Sequence, residues 1–170
     1  KCKRSGLRTG LQELRSAMRD QPSSQNHELK AFMAWLNGQT SLLLASAVEI
    51  YGPQEPGWHY VGLSVDPQGP HIHYPLNFDG PLVGIQLQTE TVMALDKDRA
   101  LIQLSHEVVH LLAPGRQRRA PMIAEAAATY FSIHGPTYNR KHYATVAKHG
   151  LKQSPNYLEA YQLADYLFSL

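Results

Sequence analysis

The chain has 170 residues, of which 43% are hydrophobic, and this length and composition predict one domain with a buried core over residues 1–170. Its 16 Lys and Arg nearly balance 14 Asp and Glu, so the formal net charge of +2 predicts no nucleic-acid partner. The single cysteine, Cys2, excludes an internal disulfide and a cysteine-based metal cluster.

The sequence leaves the location of the protein open. The first four residues are followed by a polar, charged stretch, so we expect no signal peptide within this chain. The most apolar run, residues 32–50, is interrupted by Asn37, Gly38 and Gln39 and predicts no membrane span. A cytoplasmic location and export without disulfides are both compatible with these features.

The first half of the chain predicts helices followed by a small sheet. Residues 9–20 and 26–51 have helix-forming composition, and the second helix is either continuous or broken near Gly38. The Gly and Pro residues in 52–57 are expected to end this second helix. Runs of strand-forming residues follow, separated by turn residues, and we expect a mostly antiparallel sheet with strands at 58–65, 71–78 and 82–92.

The second half predicts helices again. Asp96 or Asp98 could cap the first of them, whose buried face would consist of Leu101, Leu104, Val108 and Leu111. Pro121 suits the first position of a helix that runs to about His134. Two more helices are predicted over 137–149 and from Pro155 onward. The order of helices, sheet and helices indicates an α+β fold.

The first helix of this second half carries a His-Glu-x-x-His motif at residues 106–110. His106 and His110 lie one helical turn apart on the same face, so both imidazoles can bind one metal ion. Glu107 lies beside them, where it can act as a base for a water molecule at the metal. The alternative is a pair of surface histidines with Glu107 as a solvated charge.

A catalytic zinc site usually has three protein ligands, so a third residue is needed. Ala113 and Arg116 occupy the positions where one clan of zinc peptidases has a glycine and a third histidine, which excludes that clan. Glu125 is the better candidate, because a carboxylate on so alanine-rich a helix is costly to bury without a cation. Its alternative role is a charge exposed near a helix N-terminus.

Residues 106–131 resemble the gluzincins, the clan of thermolysin-like and aminopeptidase-N-like zinc peptidases. In the similar segment of that clan an apolar residue and a spacer precede a glutamate, and small residues and an aromatic pair follow it. The resemblance implies a zincin-like fold whose active-site helix carries the motif. It implies one Zn²⁺ ion bound by His106, His110 and Glu125, with Glu107 as general base and proton shuttle. It also implies an oxyanion-stabilising Tyr or His, for which the sequence singles out no residue.

We therefore expect zinc-dependent hydrolysis of peptide bonds in a peptide or protein substrate. The segment near Gly84 does not match the amino-terminus-binding segment of aminopeptidase N, so an endopeptidase is favoured. The small size of the chain favours a narrow substrate range. Two alternatives stay open. The first is an enzyme with another target: a metal-dependent hydrolase of a different substrate, or an effector or regulatory protease that acts on one partner protein. The second is a non-catalytic zincin-like binding module.

Several further residues are interpreted as packing or surface groups. His71 and His73 would share one face of a strand, but no carboxylate or cysteine lies near them in the sequence to complete a second metal site. Residues 82–92 could border the cleft and pair with an extended peptide. The remaining residues are predicted to pack helices or to lie at the surface: His134, Tyr138, His142, Tyr143, Tyr157, Tyr161, Tyr166, Arg116, Arg118 and Arg119.

Overall fold

The structure is a computed structural model that describes residues 23–75, 81–115, 120–135, 141–152 and 155–169. Within these ranges it contains six helices and a three-stranded sheet, which confirms the α+β class. The predicted helix over 9–20 lies outside the described residues. The elements in chain order are α1 (Ser23–Tyr51), β1 (His59–Asp66), β2 (His71–His73), β3 (Leu82–Gln88), α2 (Thr89–Met93), α3 (Lys97–His110), α4 (Met122–His134), α5 (Lys141–Lys152) and α6 (Pro155–Phe168).

Helix α1 is continuous through Gly38, so the break considered there does not occur. An apolar stripe on α1 packs into the core through Leu29, Phe32, Leu36 and Leu43. Packing along this stripe outweighs the low helix propensity of one exposed glycine. The helix ends at Tyr51, and Gly52 follows with a φ of +100° that favours glycine.

The sheet is mixed, with the strand order β1-β3-β2. Strand β3 pairs in parallel with β1 and antiparallel with β2, so the prediction of a mostly antiparallel sheet is wrong. The turn after β1, where Asp66 accepts a hydrogen bond from the Gln68 N–H at 2.7 Å, does not close a hairpin. Instead β3 inserts between the first two strands, and it is buried from Val83 to Leu87 as a central strand should be.

Strand β3 is shorter than predicted because a buried glutamine ends it. The Gln103 side chain accepts a hydrogen bond from the Gln88 N–H at 3.1 Å and donates to the Thr91 hydroxyl at 3.2 Å. Residues 89–93 consequently form α2 instead of the predicted end of the strand. Because Gln103 lies on α3, the same contacts tie the helix of the His-Glu-x-x-His motif to the sheet.

Helix α3 begins where the sequence predicted. Of the two candidate caps, Asp96 is the one used, because its side chain accepts the Arg99 N–H at 3.0 Å. The helix contacts α1, β3 and α4, so it lies at the centre of the fold. All four residues of its predicted apolar face are buried: Leu101, Leu104, Val108 and Leu111.

Helix α4 follows Pro121 and packs against α3 on one side and α6 on another. Small buried residues make the second contact possible, among them Ala126 on α4 and Ala160 and Ala164 on α6. Helix α5 is attached to α4 by the Tyr143 hydroxyl, which donates to the carbonyl of Ser132 at 2.6 Å. The α3, α4 and α6 helices are thereby brought together around one site.

Candidate metal centre

His106 and His110 project from the last two turns of α3, on the side opposite its apolar face. Leu104 and Val108 are fully buried and hold this helix in the core. The side chains of both histidines are 11% exposed, and their Nε2 atoms lie 3.2 Å apart. The two histidines therefore converge through the same ring atom at the edge of the core.

Glu125 completes a cluster from the first turn of α4. Its Oε2 lies 3.3 Å from His106 Nε2, and its Oε1 lies 3.6 Å from His110 Nε2. An ion bound tetrahedrally at about 2.0–2.2 Å from N and O ligands requires ligand atoms about 3.3–3.6 Å apart. The two His–Glu separations fall in this range and the Nε2–Nε2 separation of 3.2 Å lies just below it, so His106, His110 and Glu125 could hold one metal ion. No other such trio occurs among the described residues.

The protonation states of two ligands also suit a metal. Burial, and to a smaller extent the nearby His106, lower the pKa of His110 to about 4 against the opposing effect of Glu125. The hydrogen bond with His106 is the main reason that the pKa of Glu125 lies below its ordinary value. A neutral imidazole and an ionised carboxylate are the forms that bind a metal ion.

Glu107 is buried beside the cluster, with 4% of the residue exposed. The pKa of Glu107 is raised to about 7, chiefly by burial and to a smaller extent by the charge of Glu125. His106 and a hydrogen bond from the Ile72 N–H on β2 act in the opposite direction. Glu107 is therefore not the solvated surface charge of the alternative interpretation, and a cation at the cluster would favour its ionised form.

Tyr157, on the first turn of α6, is a site residue that the sequence did not reveal. Its ring meets that of His106 edge to face, with centroids 5.3 Å apart. Burial raises the pKa of Tyr157, and the charges of Glu107 and Glu125 raise it further, so the phenol keeps its proton. The interpretation of Tyr157 as a helix-packing residue was incomplete. No local motif marks it, because its position depends on the packing of α6 against α4.

The other Tyr and His residues that follow the motif in the sequence have different contacts. His134 Nε2 lies 3.1 Å from the Tyr161 hydroxyl, and Tyr143 is buried between α5 and α4. Tyr138 and the side chain of His142 lie outside the described residues, as do Arg116, Arg118 and Arg119. Among the described candidates, Tyr157 is the one that contacts a predicted metal ligand.

The helix of the motif contacts both β2 and β3, and β2 is the edge strand of the two. Strand β3 is paired on both sides and has no free edge, so residues 82–88 cannot pair with an extended peptide as the sequence suggested. His71 and His73 lie on β2, where His71 Nδ1 contacts the carbonyl oxygen of Gly69 at 3.0 Å. They are not part of a cluster of three ligands in the described part of the chain.

Comparison with protein-family models, curated proteins and solved structures gave no match for this chain. None of the helices in the described ranges combines the length and the hydropathy of a membrane span. Function is therefore inferred from the geometry of the metal centre.

Proposed function

We propose that this protein is a zinc-dependent peptidase with a zincin-like active site. The observation that carries the proposal is the convergence of His106, His110 and Glu125 beside the buried Glu107. Two imidazoles and one carboxylate form a ligand set typical of catalytic zinc, and the separations between ligand atoms suit tetrahedral geometry. A fourth coordination position would then be open to water or substrate.

When bound at this cluster, zinc supplies a Lewis acid that polarises the scissile carbonyl and lowers the pKa of water. Glu107 accepts a proton from the attacking water and later delivers it to the leaving amine. A base with a pKa near neutrality suits both steps, since it must take up and release a proton at working pH. The low polarity around Glu107 makes each transfer sensitive to the charge at the cluster.

Tyr157 has the complementary role of a hydrogen-bond donor. Its contact with the His106 ring puts it next to the ligand cluster, and its raised pKa keeps the phenol protonated. Negative charge develops on the carbonyl oxygen as water attacks, and a donor fixed at that point stabilises the transition state more than the substrate. We infer that Tyr157 is the oxyanion-stabilising residue.

The substrate class that we propose is an extended peptide cleaved internally. Strand β2 is an edge of the sheet in the order β1-β3-β2 and lies against Glu107, so it supports pairing with an extended chain beside the metal. A narrow substrate range fits a small protein. The proposal includes the case of an effector or regulatory protease that cleaves one partner protein.

Two variants test the proposal on the protein loaded with one equivalent of zinc. We expect Glu107→Gln to keep zinc and to lose peptide hydrolysis by at least about a hundredfold, the low end of a general-base contribution. We expect Glu125→Ala to lose zinc, because two imidazoles alone bind it weakly. Glu159→Gln, on the exposed side of α6, is the matched control and should change neither property.

Metal content is measured by elemental analysis and hydrolysis by mass spectrometry of a digested peptide library. Wild-type activity in Glu107→Gln would contradict the mechanism, and stoichiometric zinc in Glu125→Ala would exclude the third ligand. Stoichiometric zinc in a wild-type protein that cleaves no peptide would reject the peptidase and favour the binding module.

A further inference from the structure

Tyr130 on α4 is the centre of a cluster of aromatic rings between α4 and α6. Its ring stacks on His134 of the same helix with centroids 4.5 Å apart, and on Phe168 of α6 with centroids 4.4 Å apart. The Tyr161 ring of α6 lies within 17° of parallel to it at a centroid distance of 6.3 Å. Tyr130 therefore interacts with α6 at two positions that are two helical turns apart.

A polar contact reinforces the middle of this aromatic cluster. The Tyr161 hydroxyl lies 3.1 Å from His134 Nε2, and the two rings are within 15° of parallel. His134 is the last residue of α4, and Tyr161 lies in the middle of α6. The two helices are thus joined by stacked rings and by a contact of hydrogen-bond length.

Small side chains line the same interface. Ala126 on α4 and Ala160 and Ala164 on α6 are each at most 1% exposed. Alanines let two helices approach closely, but their side chains are too short to interlock, so they restrict the sliding and rotation of α6 only weakly. The larger rings of the aromatic cluster supply the interlocking contacts that alanine cannot make.

The position of α6 matters for the metal centre through Tyr157. Tyr157 and Tyr161 lie one turn apart on the same face of α6. In the first turn of this helix, the Tyr157 ring meets the His106 ring edge to face with centroids 5.3 Å apart. Because backbone hydrogen bonds make one helical turn stiff, a shift or rotation of α6 at Tyr161 also moves Tyr157.

We propose that Tyr130 is a positioning residue for Tyr157, because its ring, stacked against α6, holds this helix where the Tyr157 ring meets His106. Tyr130 acts through α6 and takes no part in the chemical steps. The catalytic consequence rests on the peptidase function and on the oxyanion role of Tyr157 proposed above. The structural consequence, a fixed contact between the rings of Tyr157 and His106, does not.

The experiment compares Tyr130→Leu with Tyr130→Phe, Tyr166→Leu and the wild-type protein, all with one equivalent of zinc. The nuclear Overhauser effect between the ring protons of Tyr157 and His106, measured by NMR, reports their contact. Tyr130→Phe keeps the stacked ring, and Tyr166→Leu is the matched control, because it removes a ring of α6 that is 63% exposed. The zinc stoichiometry, kcat and KM for a cleaved peptide are measured on the same samples.

We expect Tyr130→Leu to weaken the Overhauser effect at least about threefold, as a contact longer by about 1 Å would, and to lower kcat about tenfold. Zinc content and KM should stay unchanged, and Tyr130→Phe and Tyr166→Leu should keep the wild-type values. In a Tyr157→Phe background, Tyr130→Leu should lower kcat no further, because the hydroxyl through which it acts is already gone. If Tyr130→Leu does not fold, Tyr161→Leu replaces it with the same expectations, since it removes the facing ring.

Four results would overturn the positioning role. The first is an Overhauser effect of wild-type strength in the folded leucine variant, and the second is a weakened effect with wild-type kcat in an active enzyme. The third is a Tyr130→Phe variant as impaired as Tyr130→Leu, and the fourth is an additive loss of kcat in the Tyr157→Phe background. If the wild-type protein cleaves no peptide, the peptidase proposal fails by itself, and the Overhauser effect still decides whether Tyr130 fixes the contact of Tyr157 with His106.

Discussion

At the scale of single residues, Glu107 and Tyr157 flank the metal cluster from α3 and α6. Burial is the main cause that raises the pKa of both groups, although Tyr157 is still 40% exposed, so each holds its proton more tightly than usual. In the proposed mechanism, Glu107 is then a base that can return its proton, and Tyr157 is a phenol that stays a donor. The two groups suit opposite roles although their pKa values shift in the same direction.

The role of Tyr157 is tested by removing its hydroxyl alone. We expect Tyr157→Phe to keep zinc and KM and to lower kcat by about 10²–10³-fold, the cost of one oxyanion donor. Tyr166→Phe is the control on the same helix, where the residue is 63% exposed. Steady-state kinetics on a cleaved peptide measure both. Equal kcat values for the two variants would remove Tyr157 from the mechanism.

His73 makes folding stability depend on pH. Burial, and to a smaller extent the charge of His71, lower the pKa of its imidazole to about 4. Between about 6.5 and 4 the unfolded chain binds a proton that the folded protein excludes, so the free energy of unfolding falls as pH falls through this window. At neutral pH His73 is uncharged in both the folded and the unfolded state, so this loss of stability does not occur.

We expect His73→Phe to lose part of this acid sensitivity. The difference in Tm between the variant and the wild type should be more positive at pH 4.5 than at pH 7.5, because phenylalanine binds no proton in the unfolded state. Thermal unfolding followed by circular dichroism at the two pH values measures this difference. His27→Phe, at an exposed site of α1, is the control. If His27→Phe changes the pH dependence of the Tm as much as His73→Phe does, the acid sensitivity cannot be assigned to His73.

At the scale of elements, α1 shows how packing overrides local propensity. Gly38 lies in the middle of this helix, where a Cβ atom would meet nothing within 4 Å, yet the helix continues. The break considered from the sequence was a local argument. The apolar stripe of α1 runs on both sides of Gly38, and its burial against the core is what keeps the helix whole.

We expect Gly38→Ala to raise the free energy of unfolding by about 0.5–1 kcal/mol, since alanine loses less backbone entropy in a helix. Gly52→Ala, just after the same helix, should instead lower it, because the φ of +100° at Gly52 strains an alanine. Urea denaturation of both variants measures the two changes. A destabilised Gly38→Ala would mean that the glycine is required inside α1.

At the scale of the whole molecule, the candidate metal cluster of His106, His110 and Glu125 joins α3 to α4, so an ion bound there should stabilise the folded state. At a free zinc concentration of about 1,000 times the Kd, binding contributes about 4 kcal/mol, which corresponds to about 8–16 °C in Tm for a protein of this size. Differential scanning calorimetry with and without zinc measures the shift. Glu125→Ala should show little of it, and a wild-type Tm independent of zinc would contradict the metal site.

The sequence by itself determined the local part of the site. His106, Glu107 and His110 lie within one helical turn, so their spacing alone puts them on neighbouring positions of a helix. The ends of helices were also legible where a cap or a proline sets them, as with Asp96 and Pro121. Glu125 was predicted because a carboxylate on so alanine-rich a helix is costly to bury without a cation.

Only the tertiary structure decided which distant elements become neighbours. The insertion of β3 between β1 and β2 reversed the expected strand pairing, because alternation of residue types does not tell which strands are adjacent. Tyr157 lies beside His106 through the packing of α6 on α4. These contacts depend on burial summed over the whole chain, and no short segment contains that information.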